Sequence, residues 1–151
     1  MPTQNLIPPH LSPERNVAFL MASIISKLEQ ELRNSTLRKL DMTYIHFRVL
    51  QYLLGEDGKK VGDIATAIAA RPPVVSRVVD QMEERSLVRR GVDPSDNRLT
   101  RVYLTADGRD KYALAWPAAH KLIEYALDVL EPEEREEFQR CLRKVGEHVC
   151  S

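Results

Sequence analysis

No stretch of this 151-residue chain approaches the ~18 consecutive apolar residues of a membrane-spanning helix, so no membrane partner is expected. Cysteine is scarce. Cys141 and Cys150 are the only two, they form no paired framework, and that usage suits a reducing compartment rather than a disulfide-stapled fold. A Gly-rich phosphate loop, a His-Glu-x-x-His pair and a Gly-x-Ser-x-Gly elbow are all missing, and the four histidines are scattered. An enzyme, a cofactor and a dedicated metal site are therefore not expected. Met1 to Pro13 contains proline but no basic cluster ahead of an apolar core, and reads as an arm rather than a signal peptide. With 43% hydrophobic and 29% charged residues, the expectation is a cytoplasmic, single-domain globular protein able to bury its own core.

A charge of one sign is lacking overall, since 22 Lys+Arg balance 22 Asp+Glu. The balance is uneven along the chain. From Lys59 to Lys111 there are 11 basic and 8 acidic residues, so the middle is basic and the two flanks together are acidic. A basic centre between acidic ends permits a polyanionic partner.

What is present is mostly helical periodicity. Ser12-Pro13-Glu14 reads as a helix start, and Val17, Leu20, Met21, Ile24, Ile25, Leu28 and Leu32 follow at helical spacing. Thr43 is placed to cap a second helix whose residues from Tyr44 to Leu54 are apolar nearly all round, as in a buried central helix. Gly55-Glu56-Asp57-Gly58 ends it. Ile64, Ala65 and Ile68 mark a short third helix. After Arg71-Pro72-Pro73, Val75, Val78, Val79 and Met82 mark a fourth. Two short helices this close form a helix-turn-helix candidate. Leu87 to Arg90 and Arg101 to Leu104 are β-compatible runs joined through Asp93-Pro94-Ser95-Asp96-Asn97, a turn-rich hairpin tip. A hairpin directly after a helix-turn-helix is a wing. Thr105 is placed to cap a long helix with an apolar face from Tyr112 to Leu130, with a kink expected at Pro117. Phe138, Leu142, Val145 and Val149 mark the last helix.

Three segments then carry a resemblance: Val78 to Glu83 leading into Leu87-Val88-Arg89-Arg90, Asp93 to Arg98, and Leu104-Thr105-Ala106-Asp107-Gly108. In this order they resemble the MarR family of winged helix-turn-helix transcription regulators. The resemblance implies a mainly α fold with a small β-hairpin wing (α+β). It implies long terminal dimerisation helices in residues 1–40 and 106–151, with a DNA-binding lobe in 41–105. It also implies a homodimer on a pseudo-palindromic double-stranded DNA operator, acting as a repressor and released by a small-molecule effector. Two recognition helices about 34–36 Å apart would enter successive major grooves. Alternatives are a metal- or redox-responsive regulator of the same fold, and a winged-helix protein-interaction module.

On the fourth helix, Pro73, Val74, Ser76, Arg77 and Gln81 face outward, with Arg71 at its entry. Ser76 and Arg77 suit base edges or phosphates, and Val74 suits a thymine methyl. The bland alternative for Arg77 is an ion pair with Asp80. Pro72-Pro73-Val74 departs from the small polar residues typical of the family. Arg98, beside Asn97 at the wing tip, is the matching minor-groove arginine, and the acid matching Asp96 helps shape the wing. Arg89, Arg90 and Arg101 are read as phosphate contacts or sheet-edge charges. Phe19, Met42, His46, Trp116 and His120 are candidate linings of an effector cavity, with plain core packing the bland alternative and the favoured one for Phe19 and Met42. They suit an aromatic or phenolic acid whose carboxylate meets an imidazole or Arg48.

Overall fold

A computed structural model describes residues 12–55 and 58–150. The expected arm from Met1 to Leu11 and the Glu56-Asp57 turn lie outside the described residues. A 3-10 turn, Pro13–Arg15, precedes α1, Val17–Ser35. After a second 3-10 segment, Leu37–Leu40, come α2, Tyr44–Gly55, α3, Val61–Ala67, and α4, Pro72–Glu84. The hairpin of β1, Val88–Val92, and β2, Thr100–Leu104, leads into α5, Ala106–Leu127, and α6, Pro132–Cys150. This is the winged helix-turn-helix architecture, mainly helical with one antiparallel two-stranded sheet.

The start of the first helix differs from expectation. Ser12 makes no side-chain cap. The chain closes a tight turn with Arg15 N–H donating to Ser12 O at 3.0 Å, and the α-helix begins only after Asn16. Asn16 is extended (φ −84°, ψ 112°) and its Oδ1 accepts from Phe19 N–H at 2.9 Å, the acceptor an N-cap needs. Thr43 does cap α2. Its Oγ1 accepts from His46 N–H at 3.2 Å, and His46 Nδ1 accepts in return from Thr43 N–H at 3.3 Å. Thr105 Oγ1 accepts from Gly108 N–H at 3.0 Å at the head of α5, and that helix continues through Pro117.

The core gathers around α2 and α4. Leu37, Val49, Leu50, Ile64, Val75, Val79, Met82 and Val102 are fully buried, so α2 sits at the centre and α4 turns Val75, Val78, Val79 and Met82 inward. Two helices close without a glycine. Ala69 and Ser86 adopt left-handed φ values of 53° and 60°, letting Ala70 N–H reach Ala65 O and Leu87 N–H reach Met82 O, both at 2.9 Å.

The sheet registers Val88 against Leu104 and Val92 against Thr100, and Lys59 bridges to Val102 from the other side. Gly91 and Val92, outside the β-compatible runs read from sequence, are therefore in β1. The reason is Tyr103. A Cβ on Gly91 would stand 3.1 Å from its ring, and one on Gly58, at φ +75°, would stand 2.6 Å from it. The ring occupies the slot that two glycines leave.

The terminal helices are of another kind. Leu32 is the only buried residue of α1, and α6 has none. Phe138, Leu142, Val145 and Val149 are 42–71% exposed.

Candidate nucleic-acid interface and effector cavity

Asp93 organises the wing. It is a buried polar residue, 3% exposed, in an Asp-Pro-Ser turn. Its Oδ1 accepts from Ser95 N–H and Ser95 Oγ, each at 2.8 Å, and from Asp96 N–H at 3.1 Å. Its Oδ2 accepts from Arg101 Nε, and Arg101 Nη1 donates onward to Gly58 O at 3.0 Å. The Arg101 guanidinium first, then the Ser95 hydroxyl and N–H, hold the Asp93 carboxyl well below the usual range. The guanidinium in turn is held more firmly protonated.

Beyond this clamp projects Arg98, whose side chain is 89% exposed. Asp96 Oδ1 accepts from Arg98 N–H at 3.0 Å and from its Nε at 3.1 Å, and Oδ2 accepts from Nη2 at 3.3 Å. The Arg98 side chain, then its N–H, lower the Asp96 pKa. Asp96 thus aims Arg98 locally, while Asp93, which the sequence reading did not single out, shapes the loop. The signal for it was available, because an Asp ahead of Pro-Ser accepts from the backbone two residues on.

On α4 the outward set is as expected in part. Arg71, Pro73, Val74, Arg77 and Gln81 are exposed and Ser76 is half-buried. Arg71 is extended at the N-cap, and prolines at the first two helical positions lack the N–H groups that would otherwise go unpaired there. Arg77 does not pair with Asp80. Asp80 takes Arg90 Nη2 at 2.7 Å, and no ion pair reaches Arg77 among the described residues. Gln81, although exposed, lies 3.5 Å from His46 Nε2 through its Oε1.

Two of the strand arginines are tied within the protein. Arg90 donates through its backbone N–H to Glu83 Oε2 at 2.6 Å, and its Nη2 is 3.4 Å from Ser76 O, fastening β1 to α4. Arg101 belongs to the wing clamp. The sequence reading of both as sheet-edge or phosphate charges missed these acids, because Asp80, Glu83 and Asp93 meet them only in the folded lobe. Arg89 lies over the Tyr103 ring, 4.3 Å from its centroid, and is exposed, as is Asn97.

The six expected effector residues do not converge. An apolar cavity of about 130 Å³ lies between α1, α2 and α5. It is lined by Ile25, Leu28, Glu29 and Leu32, by Tyr44, Phe47 and Gln51, and by Trp116, Ala119, Leu122 and Ile123. Of the six, only Trp116 is among them. Phe19 is 54% exposed near the start of α1, and Met42 is core. His46 is buried against Gln81, with burial pushing its pKa down. Arg48 donates to Ile68 O at 3.5 Å, and His120 stacks on the outer side of Trp116 at 5.4 Å. Helix geometry explains the miss. Tyr44, Phe47 and Gln51 share one face of α2, whereas His46 and Arg48 are each rotated ~100° from Phe47. Cys141 is exposed and lies 3.5 Å from Glu137 Oε1, on a helix with no buried residue. Among the described residues no three His, Cys, Asp or Glu side chains converge as metal ligands.

Comparison with known proteins gives a consistent result. A sequence model of the MarR family matches residues 40–99. Transcriptional regulator HosA of Escherichia coli O111:H- is 31% identical over 105 residues, covering 70% of this chain and 78% of that protein. The crystal structure of a MarR-family transcriptional regulator from Silicibacter pomeroyi superposes with a TM-score of 0.84 at 28% identity, covering 95% of this chain and 96% of the other. MepR of S. aureus, solved as a DNA complex, superposes at 0.77 with 25% identity, over 91% of this chain and 99% of that one.

Proposed function

The chain belongs to the MarR family of transcriptional regulators, and on that premise we propose that it is a homodimeric repressor of a pseudo-palindromic operator, released by a small aromatic ligand. The observation that carries the DNA reading is the wing, where the buried Asp93 carboxylate fixes a hairpin whose tip presents Arg98, 89% exposed. In this reading residues 41–105 form the DNA-binding lobe, and α4 presents Pro73, Val74, Ser76 and Arg77 to the major groove. Arg98 enters the minor groove, where negative potential is focused. Arg71, Gln81, Arg89 and Asn97 flank these contacts, while Arg90, Arg101 and Asp96 position them.

Residues 1–40 and 106–151 supply the dimer interface. The apolar faces of α1 and α6 are too large to stand in water on a monomer, and a second copy covers them in a symmetric pair. The ligand acts by favouring a separation of the two recognition helices that no longer matches the grooves.

Titrating a labelled operator duplex against rising salt tests the DNA reading. Specific phosphate contacts give log K falling steeply and linearly with log salt. A flat response would remove DNA as the partner and leave a protein-interaction module.

A further inference from the structure

The cavity between α1, α2 and α5 has a chemical bias opposite to the one expected from sequence. No Lys, Arg or His lines it, and its one carboxylate is Glu29. Glu29 is half-buried, and among the described residues no hydrogen bond or ion pair reaches it. Of the neighbouring cations, Arg33, one turn on along α1, is exposed and makes no ion pair with Glu29 among the described residues, and two others are engaged elsewhere. Lys27, two positions away and so on another face of α1, pairs with Glu31 at 2.9 Å. Arg48 is turned to the Ile68 carbonyl.

Three of the remaining lining residues, Tyr44, Phe47 and Trp116, are aromatic, and the others apart from Gln51 are aliphatic. Tyr44 and Phe47 stack with centroids 6.3 Å apart. Tyr112 continues the stack from Phe47 at 5.3 Å to Trp116 at 6.1 Å. Ring faces carry negative quadrupole and attract cations. The 130 Å³ volume is close to that of an engineered cavity of about 150 Å³ that takes benzene.

Taking this cavity as the site of the effector proposed above, we infer that it selects a single-ring aromatic base, bound as its ammonium ion, over an aromatic acid. The ring lies among Phe47, Tyr44 and Trp116. The ammonium donates to the Glu29 carboxylate, with the Gln51 amide oxygen as a second acceptor. A carboxylate placed there meets Glu29 as a like charge, with no cation in the cavity wall to offset it.

Trp116 is the single tryptophan of the chain, so its emission reports on the cavity. The full-length protein is titrated with benzylamine, benzyl alcohol and benzoate, which share a ring and differ in charge. Benzylammonium is expected to bind at least about tenfold more tightly than the alcohol, with benzoate weakest. Glu29→Gln is expected to bring the amine to within about twofold of the alcohol while leaving alcohol binding intact, which controls for folding. Benzoate binding as tightly as the amine, an unchanged amine-to-alcohol ratio in Glu29→Gln, or no response to any of the three would each overturn the inference. Operator affinity measured alongside separates the two claims. Glu29-dependent amine binding that leaves operator affinity untouched supports the ligand class and removes the cavity's effector role.

Discussion

Between Met42 and Leu104 most large apolar side chains are buried and the wing's ionic contacts are closed within the chain, whereas along α6 no residue is buried at all. The lobe is finished by its own sequence. Val75, Val79 and Met82 of α4 pack under α2, Arg90 fastens the sheet to α4, and Asp93 with Arg101 fastens the hairpin tip to Gly58. The terminal helices follow the same amphipathic pattern, yet Ile24 and Ile25 of α1 and Leu142 and Val145 of α6 stay about half exposed. The difference teaches that periodicity alone says a helix has a face to bury. It does not say in which molecule the cover lies. On our reading the lobe is the part that meets DNA and the outer helices are the part that meets a second chain.

The comparison breaks first at the outer helices. Leu142→Asp removes an apolar side chain and adds a charge in both copies at once. Burial of one Leu is worth about 1.5–3 kcal/mol, so the dimer is expected to weaken at least about 100-fold. Sedimentation at micromolar concentration reads this out as monomer, while the lobe keeps its melting profile. An unshifted dimer would place the interface elsewhere.

The mirror experiment strikes the seam where the head of α5 packs on the lobe. A Cβ on Gly108 would lie 2.1 Å from Leu87 O and 2.8 Å from Leu104 Cδ1, and the first contact is backbone that cannot yield cheaply. Gly108→Ala is expected to cost about 3 kcal/mol in a denaturant melt, in contrast to Gly146→Ala on α6, where the added carbon meets nothing within 4 Å. Equal effects at the two glycines would erase the distinction between a finished and an unfinished region.

A smaller effect belongs to the DNA contact itself. Arg98→Ala is expected to weaken operator binding by roughly 1–3 kcal/mol and to reduce the salt slope by about one, with the dimer intact. Unchanged affinity would show that the tip does not touch DNA.

Smallest is a pH effect. Burial first, opposed by the Gln81 hydrogen bond, holds His46 below the ordinary imidazole value. The unfolded chain therefore binds the proton more readily. Stability is full above about pH 6.5 and declines as pH falls from there through the lower folded-state value. Urea midpoints at about pH 7.5 and 5.5 should differ in the wild type and differ less in His46→Gln. A slope that survives this substitution would assign the effect to another group.

Much of the fold was legible because it is local. Thr43 and Thr105 cap the helices that follow them, the α4 valines carry their own period, and Asp-Pro-Ser-Asp-Asn announces a hairpin tip. What escaped depends on rotation and on distant partners. Arg90 reads as a free strand cation until Asp80 and Glu83 are folded beside it. The cavity draws on three helices, and a step of one residue along α2 exchanges Phe47 for His46 or Arg48. Ser12 had the right residue type for a cap, but Asn16 had the acceptor in the right place.

Footprinting the DNA upstream of the gene for this protein tests the central claim most directly. Two lobes carried by one symmetric dimer predict a two-fold symmetric protected site with half-sites centred about 10–10.5 base pairs apart, or a multiple of that. It should be occupied by two chains and lost when Leu142→Asp separates them. A protected site without two-fold symmetry, or one filled by a single chain, would contradict the account.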